Sequence, residues 1–311
     1  MDRVTTFSSY NSVINSLMTT ESRLNQVNEQ VSSGKASADL KGFGNNTEAL
    51  IAAQTLQIRN NSYIQSNTTL TSKLDTQDQA LTQVATAGQD ARSAIASAIA
   101  SGSADGLMST LQSDFGQAVG GLNTQYNGQY LFAGGKVTTP PVAAQNLSDL
   151  TSPPAGGVFQ NDQLATTSQL DASTTLQTGM LADQVGTNLF NAFQQLETFN
   201  QGAGGPLGGQ LTTAQTNFLT GMLQTFDSAN QGMTNTVASN GLLQDRVTQV
   251  QSTQQDQQAT LATMVGNIAD VDMAQASSQL SQAQVALQAS AHVFASLQNT
   301  TLLNYLTGSG G

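Results

Sequence analysis

The sequence predicts a mainly α fold: long antiparallel helical hairpin/coiled-coil rods formed by the two chain ends, with a small β-rich or irregular central insert. Three observations predict it. All five prolines fall between Pro140 and Pro206, so both flanks are free of the strongest helix breaker. Each flank carries apolar residues at alternating steps of three and four, the spacing of a helical seam. The intervening segment is rich in Ser, Thr and Gly and holds only short apolar stretches.

The first element steps from Phe7 through Tyr10, Ile14, Leu17, Glu21, Leu24 and Asn28 to Val31, with polar breaks at Glu21 and Asn28. The second is longer. Leu56, Asn60, Tyr63, Asn67, Leu70, Leu74, Gln77, Leu81, Val84, Gly88, Ala91, Ile95 and Ala98 span a distance of about 65 Å as one helix. Asn, Gln and Gly at such positions weaken a seam but can fix its register. Shorter helices follow from Leu107, Leu111, Phe115 and Leu122, after a break at Gly102, and from Val185, Leu189, Phe193 and Leu196. Another follows the Gly-rich turn 202–209, through Leu211, Phe218, Met222 and Phe226. A last rod runs from Leu243 through Val247, Val250, Gln254, Gln257, Leu261, Met264 and Ile268 to Val271. There the apolar register shifts to Leu280, Ala283, Leu287, Ala291, Phe294 and Leu297, which marks a break. Within the insert, Val158-Phe159 and the 164–176 region read as short strands.

Composition narrows the function classes. Only 9 Lys or Arg and 20 Asp or Glu occur in 311 residues, while Gln alone occurs 39 times. A net charge of -11 excludes the basic footprint that nucleic-acid binding needs. It equally excludes a polybasic membrane-surface binder. No apolar run is long enough to span a bilayer, and the N-terminus lacks the pattern of a cleaved secretory signal. With no Cys and one His, thiolate chemistry and multi-His metal sites are out of reach.

The remaining candidate sites have plain readings. His292 has no carboxylate closer in sequence than Asp272, so it reads as an interface or core histidine. Gly42-Phe43-Gly44-Asn45-Asn46-Thr47 lacks the third glycine and the preceding strand of a dinucleotide fingerprint and reads as a turn before a helix. The 202–209 segment lacks the Lys-Ser/Thr of a phosphate loop and reads as a helix connection. Asp270 and Asp272 read as a solvated helix break. No catalytic residue, cofactor or metal is expected.

The tails carry more. Residues 273–311 contain no charged side chain, and residues 1–31 only five. Flanking positions that usually hold Glu and Lys are Ser, Thr, Asn and Gln instead. Such helices expose an apolar stripe when alone and suit packing on neighbouring copies, where association offsets the cost of ordering. The candidate assembly residues are Phe7, Tyr10, Ile14, Leu17, Leu24, Val31, Leu280, Leu287, Phe294, Leu297, Leu303 and Leu306.

These features meet a resemblance. Leu24-Asn25-Gln26-Val27-Asn28-Glu29-Gln30-Val31-Ser32-Ser33-Gly34-Lys35 resembles the N-terminal helix of the flagellin superfamily of bacterial axial proteins, which ends in a Ser-Gly-Lys turn. Residues 282–290 and Leu302-Leu303-Asn304-Tyr305-Leu306 resemble its terminal helix. Tyr126-Asn127-Gly128-Gln129-Tyr130-Leu131-Phe132-Ala133-Gly134-Gly135-Lys136, with Pro140-Pro141, is similar to the hook–filament junction branch of that family. After Lys35 the chain departs from the family's Asn/Pro-rich stretch with paired aspartates and has Asp39 alone.

The resemblance implies an inner coiled-coil domain of residues 1–45 and 270–311, a rod domain of 46–132 and 183–269, and a small outer insert of 133–182. It implies a structural subunit exported without a cleaved signal and placed in the extracellular flagellum. There it would self-associate in an axial ring or tube. Its implied partners are another hook-associated protein on the hook side, flagellin on the filament side, an export chaperone and the flagellar export apparatus. A short flagellin, or a secreted adhesin displaying residues 136–182, are the alternatives.

Overall fold

The structure, a computed structural model, describes the backbone of residues 2–307 and the side chains of residue 8 and residues 10–296. Its order is α1 (Asp2–Ser33), a 3-10 turn (Leu40–Asn46), α2 (Thr47–Ser101), α3 (Leu107–Leu122), β1 (Gln125–Tyr126), β2 (Gln129–Tyr130), a second 3-10 turn (Leu147–Leu150), β3 (Thr167–Gln169), β4 (Thr175–Gln177), α4 (Ala182–Gln201), α5 (Thr213–Ala269) and α6 (Met273–Thr307). The fold is mainly α, with helices at both chain ends and two small antiparallel β pairs between them. The chain divides into two compact units, residues 1–59 with 256–311 and residues 60–255. The division falls inside α2 and α5.

In the larger unit, α2 and α5 run antiparallel. Arg92 pairs with Asp227, Gln77 Nε2 donates to Asn240 Oδ1 at 2.9 Å, and Asn60 Nδ2 donates to the Gln254 carbonyl at 2.7 Å. From Asn60 to Ala98 the expected seam holds at every position except half-buried Tyr63. Only Leu56, at its start, is exposed. The last rod keeps its register less well, because Gln257 and Met264 face solvent.

Phenylalanines fill the core where α3, α4 and α5 meet. Phe115 contacts Phe190 at 5.1 Å and Phe193 at 5.6 Å, and Phe193 contacts Phe226 at 5.2 Å, all edge-on. That geometry aligns the positive ring edge with a negative face. α3 lies close on α2 because residue 121 is glycine. A Cβ there would stand 2.6 Å from Val84 Cγ2 and 2.9 Å from the Ala80 carbonyl.

The insert is not a free module. Val142, Ala144, Leu147 and Leu150 join the same core, next to Leu131 and Phe132 just before the insert. The Tyr126–Lys136 motif explains its own sequence here. Asn127 and Gly128 adopt φ of 51° and 77°, a two-residue turn that matches strand twist. Gly134 and Gly135 pack against Asp162, whose Oδ1 accepts from Gly135 N at 2.8 Å and Leu164 N at 3.0 Å. Those backbone donors hold the Asp162 carboxyl below the usual range.

A second contact is polar and deep. Leu170, beyond β3, is fully buried beside Leu70, Leu74, Val247 and Val250. Its carbonyl accepts from Asn67 Nδ2 at 2.9 Å and Gln254 Nε2 at 2.7 Å. The polar seam residues therefore set register and also hold the β3–β4 hairpin.

One buried charge is unpaired. Asp114 on α3 is 7% exposed and its Oδ2 has no hydrogen-bond partner. Burial, helped by the charge of Asp90, raises its pKa from 3.8 to about 6. Both folded and unfolded forms are protonated below pH 3.8, so the penalty is absent there. It grows as pH rises from 3.8 to about 6 and levels off above that at about 2–3 kcal/mol. Asp114→Asn is expected to raise the melting temperature at pH 7.5 and to have little effect at pH 4. Melting curves at the two pH values check this.

Candidate assembly surface

The smaller unit is built on the pairing of α1 with α6. α1 ends because Gly34 takes φ of 69° and its N–H reaches the Gln30 carbonyl at 2.9 Å, a left-handed cap that suits only glycine well. The chain then bridges across the pair: Ala36 N donates to the Ala269 carbonyl at 2.8 Å, and Val271 N to that of Gly34 at 3.0 Å. Lys35 Nζ meets Asp270 Oδ1 at 2.6 Å, with both side chains about half exposed. An exposed pair of this kind contributes at most about 1 kcal/mol, so the backbone bridges fix the register. Asp272 caps α6, accepting from Ala274 N at 2.9 Å and Gln275 N at 3.1 Å. The expected solvated break at Asp270 and Asp272 is thus a structured turn.

The α1 seam differs from the expected one. Tyr10, Val13, Ile14, Leu17, Thr20, Leu24, Val27, Gln30 and Val31 are the buried or half-buried positions. Glu21 and Asn28 are exposed. Tyr10, Leu17, Leu24 and Val31 hold one heptad position as expected; the other falls one residue earlier at Thr20 and Val27, while Val13 shares the turn with the expected Ile14. The two polar breaks therefore lie outside the seam. On α6 the corresponding positions are Ala276, Gln279, Leu280, Ala283, Leu287, Ser290 and Phe294, with Ala291 exposed. Tyr10 and Phe294 meet with ring centroids 5.5 Å apart.

This pair is thinly packed. Only Val27, Ala276 and Ala283 are buried along the described parts of α1 and α6. Ile14, Leu280 and Leu287 are half-buried, like Tyr10, Leu17, Leu24, Val31 and Phe294. The side chains of Phe7, Leu297, Leu303 and Leu306 lie outside the described residues. Several polar side chains satisfy themselves: Thr19, Thr20, Ser32 and Ser33 donate to carbonyls four residues back. That local bonding removes the need for charged flanks.

The unit's outer faces are unusually apolar. Eleven large hydrophobic side chains are exposed among the described residues, and nine belong to this unit, which holds little more than a third of the chain. Met18, Ile58, Val285 and Val293 are each more than half exposed. Reading a single seam missed them, because they sit on the helix faces the seam leaves out. Charged side chains are no scarcer in this unit than in the rest of the chain. Residues 60–255 carry four Lys/Arg against twelve Asp/Glu, and the smaller unit five against eight.

His292 is exposed on α6, so of the two expected placements, interface or core, the core one does not hold. Its helix carries no charged partner. Among the described residues no group of three His, Asp or Glu could hold a metal ion, and no helix is long and apolar enough to cross a membrane.

A thinly packed pair of terminal helices with apolar outer faces defines a class of helical assembly subunit. The family models of the bacterial flagellin N-terminal and C-terminal helical regions match residues 4–137 and 223–306. The chain belongs to the flagellin superfamily and is a flagellar structural protein. No curated protein sequence matches it. Among solved structures, it is similar to a Vibrio parahaemolyticus chain described as a flagellar hook-associated protein, at 14% identity and a TM-score of 0.59, covering 75% of this chain and 99% of that one. It is also similar to Bacillus cereus FlgL, at 13% identity and a TM-score of 0.53, covering 70% of this chain and 98% of that one. Both likenesses establish the fold.

Proposed function

We propose that the chain is the adaptor subunit joining hook to filament, self-associating in an axial ring or tube through residues 1–59 and 256–311. The observation that carries this reading is the concentration of exposed apolar side chains in that unit. The half-buried residues Tyr10, Ile14, Leu17, Leu24, Val31, Leu280, Leu287 and Phe294, with Phe7, Leu297, Leu303 and Leu306, supply the helix pair that presents it. The hook-associated proteins of similar fold support the junction position over the filament. The role is mechanical and extracellular, with no bond made or broken. Its neighbours are a second hook-associated protein, flagellin, and an export chaperone before secretion.

Deleting the gene is expected to leave hooks in place and release flagellin into the medium. Normal filaments and motility in the deletion strain would reject the junction role and favour a redundant short flagellin. An adhesin reading gains nothing from the insert, whose apolar residues are spent in the core.

Few buried contacts also mean low local stability. Limited proteolysis of the monomer is expected to cut within 1–45 and 270–311 before it cuts within 60–255. Resistance of both terminal segments would contradict the proposed ordering on assembly.

A further inference from the structure

The methionines divide between the two units. In residues 60–255, Met222 and Met233 are buried and Met108 and Met180 pack partly buried against the core. In the smaller unit, Met18, Met264 and Met273 are 63%, 51% and 47% exposed. They account for three of its nine exposed large apolar side chains. The chain has no cysteine, so thioethers are its only sulfur groups, and their oxidation follows access to solvent.

We propose that Met18, Met264 and Met273 are the oxidation sites among the methionines of the described residues, and that a peroxide-class oxidant acting there disables the self-association surface. The reaction needs nothing from the protein but exposure. The thioether sulfur attacks one peroxide oxygen, the O–O bond breaks, and that oxygen stays on sulfur as the sulfoxide. Sulfur loses two electrons, and the displaced hydroxide takes a proton and leaves as water. A sulfoxide is polar where the thioether was apolar. Covering it in a subunit contact without a donor costs free energy that the thioether does not. The loss of association rests on the self-association proposed above, whereas the selectivity among methionines does not.

Full-length monomer is treated with hydrogen peroxide and digested, and each methionine peptide is followed by mass for the gain of one oxygen. Met18, Met264 and Met273 are expected to react at least about tenfold faster than Met222 and Met233. Equal rates, or earlier reaction of the core pair, would overturn the assignment. Association is then measured by sedimentation for wild type and for the M18L/M264L/M273L variant, in which leucine keeps the apolar volume. Each protein is compared with its own untreated sample. After peroxide, wild type is expected to weaken about tenfold or more, and the variant to be unchanged. Unchanged association of oxidised wild type, or equal weakening of the variant, overturns the switch. Failure of untreated wild type to associate overturns the self-association reading, and the switch with it, and leaves the peptide result standing.

Discussion

Val27→Asp is expected to abolish the pairing of α1 with α6 and, with it, self-association, while residues 60–255 stay folded. Val27 is 3% exposed and is the only buried residue in the described part of α1. Its burial contributes about 1.5–3 kcal/mol, and the other two buried side chains of the pair are alanines. Placing an unpaired carboxylate there costs on the order of several kcal/mol, more than so thin a seam supplies. Lys35 cannot compensate, because it is already engaged with Asp270 two turns further along the chain. Proteolysis should then open residues 1–45 and 270–311 at once. Sedimentation should show monomer, and the main thermal transition should persist. Asn28→Asp, at the exposed neighbouring position, controls for added charge and should behave like wild type. Association of Val27→Asp at wild-type strength would separate assembly from the helix pair and reject the surface described above.

Why α1 was harder to read than α2 has a physical basis. In α2 the positions from Leu70 to Ala98 are closely packed by other helices, so only one heptad phase fits the apolar residues. In α1, burial is shallow and both Val13 and Ile14 are half-buried. Thr20 takes a seam position because its hydroxyl bonds the Ser16 carbonyl and exposes little polarity to the partner. Nothing in residue type alone distinguishes that threonine from a solvent-facing one. The helix break near 270 was legible from the register shift, but the Lys35–Asp270 pairing joins residues 235 positions apart and was not. The same distance hid the role of the polar seam residues. Asn60, Asn67 and Gln77 could be assigned to the seam by spacing, whereas their partners on α5 and in the insert lie more than 100 residues away. The Asn127-Gly128 turn was the opposite case: its signal is local and readable, yet it pointed to family membership before it pointed to a hairpin.

Leu170→Ala is expected to destabilise residues 60–255 by about 2–5 kcal/mol and to release the β3–β4 hairpin. The side chain is fully buried in a cluster of four aliphatic residues from α2 and α5, so the cavity left behind cannot be filled from solvent at low cost. The consequence does not stop at the methyl groups. The hairpin is held by its backbone, since the Leu170 carbonyl takes amide donors from both helices and Gln77 Nε2 reaches the Thr178 carbonyl at 3.4 Å. Asn67 Oδ1 and Gln77 Oε1 already lack partners. Undocking would take one acceptor from each amide nitrogen, although Asn67 Nδ2 keeps Gln254 Oε1 and Gln77 Nε2 keeps Asn240 Oδ1, and each lost hydrogen bond costs about 0.5–1.5 kcal/mol. Acid should push in the same direction. Asp171 closes the hairpin turn by accepting from Ser173 N and Thr174 N, each at 2.7 Å, and those bonds lower its pKa. A depressed carboxyl gives stability above its unfolded pKa that is lost as pH falls through the folded one. Amide exchange across residues 167–178 should therefore quicken in Leu170→Ala at neutral pH, and the hairpin contribution should fade in wild type on acidification. Leu164→Ala, in the same segment but 66% exposed, should change neither. If Leu170→Ala exchanges no faster than wild type across 167–178, the hairpin is held by its own turn and not by the two rods, and the polar seam residues serve register alone.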